Sequence, residues 1–88
     1  MVYVDSERIP YRGMKMSHMV ADTLDELHAM ATRLGLRESW FQTSRLGIPH
    51  YDVCDSYRRR ALSMGATGIG RRGMIEFIQR FRAEHHFK

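Results

Sequence analysis

Imidazole, carboxylate and thiol side chains gather in two short stretches of this chain: His18 with Asp22 four residues on, and His50, Asp52 and Cys54 at alternate positions. Such groups support two kinds of chemistry. A histidine held by a carboxylate takes and gives protons near neutral pH. Imidazole, carboxylate and thiolate together are also the usual ligands of zinc and related ions. No close two-cysteine or His-Glu-His spacing occurs, so a divalent metal is a candidate cofactor on donor types alone. His18, Asp22, His50 and Asp52 are the residues expected to act in a site. His28 falls on a helix face expected to be buried and reads as a hydrogen-bonded core histidine, and His85 and His86 read as solvent-facing tail residues.

Cations form the second set. Arg58-Arg59-Arg60 is the densest basic run, but successive helical side chains turn by about 100°, so at most two of the three face one partner. Arg58 and Arg59, with Arg71 and Arg72, are the candidate phosphate contacts, and Trp40 is the aromatic counted with them. Gly68-Ile69-Gly70-Arg71-Arg72-Gly73 spells the glycine fingerprint of dinucleotide-binding folds, yet that motif needs a following βαβ unit with an acidic residue about 20 positions on. The residues after Gly73 suffice for a single helix, which reduces the motif to a turn or a helix-terminus phosphate contact.

Elements must place these groups. Val2-Tyr3-Val4 alternates and reads as a strand, with Val2 and Val4 on one face and Tyr3 and Asp5 on the other. Pro10 and Gly13 mark 9–13 as a turn or loop, and 15–21 reads as a second strand. Leu24, Leu27, Ala31 and Leu34 recur at helical steps after a cap at Asp22 or Thr23, with Asp25 and Glu26 in the first turn and Gly35 as the stop. Residues 36–49 read as a long loop anchored by an aromatic, with Trp40 and Phe41 inside it. Tyr51 and Val53 then give a strand an apolar face, with His50, Asp52 and Cys54 opposite. A helix capped by Asp55 or Ser56 carries Tyr57, Ala61 and Met64 inward and stops at Gly65. A short strand at 66–69 precedes a third helix marked by Met74, Phe77, Ile78 and Phe81, with Glu76 placed to pair with Arg80 on its outer face. Alternating strands and helices predict an α/β fold, a small sheet of short strands covered by about three helices.

Composition bounds the setting. The 88 residues hold 43% apolar and 27% charged side chains, a globular balance, and make one domain with a core over about 2–83 and a tail at 84–88. The net charge of +4 favours polyanionic partners. One cysteine excludes an internal disulfide and points to a reducing cytoplasm. No apolar run approaches the ~20 residues that span a bilayer, which argues against a membrane partner.

Several blocks carry a resemblance: Val2-Tyr3-Val4-Asp5, Ile9-Pro10-Tyr11, Met14-Lys15-Met16-Ser17-His18-Met19, Ala21-Asp22-Thr23-Leu24-Asp25-Glu26-Leu27-His28, Trp40-Phe41-Gln42 and Pro49-His50-Tyr51-Asp52. In order and spacing they resemble a family of small bacterial and bacteriophage proteins catalogued as a domain of unknown function. The resemblance implies a bacterial or phage cytoplasmic protein. It also implies a common site built from the His18, Asp22, His28, Trp40, His50 and Asp52 blocks. The function expected is binding, with processing in view, of a phosphate-bearing ligand, a nucleotide or nucleic acid, at a His/Asp pocket with nearby arginine. The alternatives are a non-enzymatic module that binds a host protein through exposed Met, Tyr and Trp40, and a His/Asp/Cys metal site.

Overall fold

The computed structural model describes residues 1–85. Its elements run β1 (Val2–Val4), β2 (Ile9–Tyr11), β3 (Met14–Ala21), α1 (Leu24–Leu34), a 3-10 turn at Glu38–Trp40, β4 (Gln42–Thr43), β5 (Pro49–Cys54), α2 (Asp55–Ser63), β6 (Thr67–Gly68) and α3 (Arg71–Glu84). The strands form one sheet in the order β4-β5-β3-β1-β6, with β2 also paired to β3. Among the described residues only the β1–β6 pair is parallel. The fold is the expected single α/β domain.

Period-two alternation sorts the sheet into two faces. Val2, Val4, Met19, Ala21, Tyr51 and Val53 all point to one face, where Leu27, Met30, Ala31 and Leu34 of α1 and Ala61 of α2 cover them. Thr23 caps α1 by accepting the Glu26 N–H while its hydroxyl donates to the Glu26 carboxylate, and Gly35 at φ 83° ends it. On the opposite face α3 lies over Val20 and Ile48, with Phe77 against Tyr3 at 5.4 Å between ring centroids. The rest of that face stays open. It carries His18, His50, Asp52 and Cys54.

Several expectations need correction. Residues 9–11 form strand β2 rather than a loop, because Arg12 (φ 50°) and Gly13 (φ 78°) both take the left-handed conformation of a tight hairpin turn, and Pro10 sits on an edge. Leu24 is 48% exposed, since its first-turn position lies past Ala21, the last strand residue. Met30 takes a place in the buried stripe instead. Ile78 is half-buried at the edge of the α3 contact. The aromatic expected to anchor the long connection is Phe41, with its ring against His28 and Tyr51 while Trp40 is 43% exposed. Asp55 lies inside α2 and pairs with Arg8, leaving Cys54 at the cap position. Arg80 reaches Asp22 and Glu84 rather than Glu76. Helix α3 runs through Glu84, the first residue of the expected tail, and 86–88, with His86, lie outside the described residues.

One irregularity positions the site. β1 and β2 run along the same side of β3, as Val4 faces Met19 and Ile9 faces Met16. Residues 5–8 therefore stand opposite only Ser17 and His18. The two strands are one strand broken by an insertion, the kind of bulge that re-aims side chains. Asp5 turns into the gap, and its carboxylate accepts the His18 backbone N–H at 2.9 Å that the displaced strand leaves unpaired. Ser17 ties the other end by donating to the Glu7 carbonyl at 2.6 Å.

Candidate functional site

The bulge builds the central pair of the site. Asp5 is 1% exposed, and one carboxylate oxygen accepts N–H groups of His18 and Glu7 while the other meets His18 Nδ1 at 2.8 Å. Burial pushes the Asp5 carboxyl up, but the His18 ring and backbone bonds outweigh it, and its pKa falls below the ordinary 3.8. The Asp5 hydrogen bond raises the His18 pKa above 6.5 against the opposing effect of burial, helped by the fields of Asp5, Asp52 and Glu7. With Nδ1 engaged by Asp5, Nε2 is the other ring nitrogen able to give or take a proton. Arg58 braces the bulge from α2, with Nε donating to the Asp5 carbonyl at 2.8 Å.

His18 stands as a ridge between two clefts. The first, of about 540 Å³, lies between the open sheet face and α3, and holds His50, Glu7, Arg45 and Arg71. Protonated His18 with Arg45 and Arg71 sets three cations there against the carboxylates of Asp5 and Glu7. The second, of about 740 Å³, lies between the β2–β3 hairpin and the Trp40 turn, and holds Trp40, Gln42, Asp52, Cys54 and Arg12. His50 packs edge-on to His18, with ring centroids 5.7 Å apart. Its Nδ1 donates to the Ile48 carbonyl at 3.0 Å, and Nε2 lies 3.6 Å from Asp52. His50 and Asp52 thus share the face opposite Tyr51 and Val53, although the His50 side chain is only 12% exposed.

Against the known proteins, residues 2–81 match the family model described as Protein of unknown function (DUF4031). The chain belongs to this family. No curated protein and no solved structure matches it. The DUF4031 match spans the Asp5 bulge, His18, His50 and α3 as far as Phe81.

Within this DUF4031 chain the expected residues separate into groups. His18, His50 and Asp52 come together. Asp22 does not join them: it lies beyond the end of β3, where it accepts from the Tyr3 hydroxyl and from Arg80 at 3.0 Å. Its pKa is lowered because those bonds outweigh the upward push of burial. His28 projects from α1 on the other sheet face, half-buried rather than in the core, with Nδ1 2.8 Å from the Tyr51 hydroxyl, the hydrogen bond expected of it. The common site implied by the resemblance is therefore divided by the sheet. Of the candidate cations, Arg71 lines the first cleft and Arg58 is spent on the bulge. Arg59 and Arg72 are exposed without lining either cleft, and Trp40 belongs to the second.

Among the described residues no three His, Cys, Asp or Glu side chains converge to hold an ion, so the metal alternative has no ligand set there. Asp5 and Arg45 are the members that sequence reasoning missed. The signal for Asp5 was present: a carboxylate closing one β-run a few residues before a second invites a bulge. Arg45 carries no comparable mark, because it reaches the cleft from a turn. No helix among the described residues is long and apolar enough to cross a membrane.

Proposed function

We propose that this protein binds a phosphate-bearing ligand, a nucleotide or nucleic acid, on the His18 ridge. The observation that carries the proposal is the Asp5–His18 pair, a half-exposed imidazole held by a buried carboxylate, with Arg45 and Arg71 in the adjoining cleft. The pair favours the imidazolium, and an imidazolium Nε2–H donates a charge-assisted bond to a phosphate oxygen. The raised pKa suits holding an anion and delivering a proton to it better than it suits abstracting one. A bacterial or phage cytoplasmic setting fits the free thiol of Cys54.

The test uses a dinucleoside monophosphate, whose single phosphodiester keeps its charge across the range. Its affinity, measured by calorimetry, should fall as pH rises through the raised pKa of His18. His18→Gln should weaken it by about tenfold or more, the worth of one charge-assisted bond. Equal affinity at pH 6 and pH 9, or an unaffected His18→Gln protein with an unchanged melt, refutes the proposal.

A further inference from the structure

Phosphate binding on the ridge leaves the aromatic wall of the second cleft unused. Tyr11 and Trp40 are 52% and 43% exposed there, and Tyr57 lies deeper, packed against the core. Each ring has a guanidinium over it: Arg12 5.3 Å from the Tyr11 centroid, Arg37 5.9 Å from Trp40 and Arg60 5.7 Å from Tyr57. The three pairs come from β2, the 3-10 turn and α2, so the fold and not local sequence gathers them. Of the three cations Arg12 lines the opening itself, beside Tyr11, whereas Arg37 and Arg60 touch its rings without lining it, and Arg60 also donates to the Leu34 carbonyl. Asp52 adds a directional element, since one oxygen accepts from the Gln42 amide at 3.1 Å while its side chain stays 37% exposed. Carboxylate and amide together offer acceptors and donors to the edge of a flat heterocycle.

We infer that the second cleft takes a base of a single-stranded nucleic acid, stacked on Trp40, while the adjoining backbone phosphate lies against His18 and Arg71 in the first cleft. The inference rests on the phosphate role of His18 and names the ligand class. Stacking platforms interleaved with arginine are how proteins hold unpaired strands, and a duplex would hide its base faces. Charge decides against a protein segment. An apolar peptide would cover Ile9 and Met14 on the rim but leave Arg12 there, and Arg45 and Arg71 in the adjoining cleft, without counter-charge, whereas a strand brings phosphates, and the chain carries net +4.

Trp40 is the chain's single tryptophan, so its fluorescence reports on the cleft. The whole protein is titrated at low salt with a short oligothymidylate, an abasic strand of equal length, thymidine monophosphate and pyrophosphate. The oligothymidylate should quench Trp40, and the abasic strand should bind at least about fivefold more weakly. Trp40→Ala should weaken a dye-labelled oligothymidylate by about fivefold to a hundredfold, with an unchanged melt as befits an exposed residue. If the abasic strand binds equally well and Trp40→Ala changes nothing, the base site is overturned while phosphate binding stands. Monophosphate binding as tight as the strand's overturns the strand in favour of a mononucleotide. If no probe binds, pyrophosphate included, the phosphate role of His18 fails and the inference with it.

Discussion

Asp5→Asn isolates the charge of the Asp5–His18 pair without changing its shape. The asparagine Oδ1 can keep both backbone N–H bonds now made to one Asp5 oxygen, and its amide then faces His18 Nδ1, which neutral imidazole can accept by switching tautomer. What is lost is the difference between a charged hydrogen bond, about 1.5–3 kcal/mol, and a neutral one, about 0.5–1.5 kcal/mol. With the His18 side chain 32% exposed, screening keeps the result near the low end, about 1–1.5 kcal/mol. For a domain of this size that is about 4–12 °C in Tm. The effect has a pH signature. Asp5, with its pKa lowered, contributes stability that is present above its unfolded pKa and lost as pH falls through the folded value. His18, with its pKa raised, contributes stability that is full below about 6.5 and lost as pH rises through its folded pKa. The pair is therefore worth most between about pH 4 and 6.5. Thermal melts of both proteins at pH 5.5 and pH 9 should show the difference shrinking by about half or more at the higher pH. NMR titration of the His18 ring should show its pKa falling in the variant. A gap that is the same at both pH values, or a wild-type His18 titrating at or below 6.5, refutes the coupling.

Leu27→Ala should cost about 2–5 kcal/mol in urea unfolding, because Leu27 is 1% exposed in the α1 stripe, while exposed Leu24→Ala should stay within about 0.5 kcal/mol; similar losses at both would mean the helix face is wrongly placed. Cys54 has its pKa pushed up by burial, but the Ser56 hydroxyl and the Tyr57 and Ser56 N–H groups lower it on balance. Its alkylation by iodoacetamide should inflect below the ordinary thiol value of 9.0, and Ser56→Ala should move the inflection upward. An inflection at or above that value refutes the assignment.

Local patterns determined most of the elements. The Thr23-x-x-Glu26 cap, the Leu27-Ala31-Leu34 spacing and the Gly35 stop act within a few residues of one another, so α1 is written in its own segment. The same holds for the two faces of β5, where strand alternation alone puts His50 and Asp52 opposite Tyr51 and Val53. Tertiary structure decided which of the chemical groups meet. Asp22 sits four residues from His18 yet pairs with Arg80, 58 positions away, because a four-residue spacing brings side chains together on a helix and not past the end of a strand. Asp5 reaches His18 across 13 positions only because strand pairing resumes after the insertion with shifted register. Trp40 and Phe41 are adjacent aromatics, and only the packing of the turn against His28 and Tyr51 selected Phe41 for the core and left Trp40 on the cleft. The open half of the sheet follows from where α3 lands. Helical periodicity specifies which stripe of α3 is apolar, but which strands that stripe covers depends on Tyr3, Val20 and Ile48, contributed by distant parts of the chain.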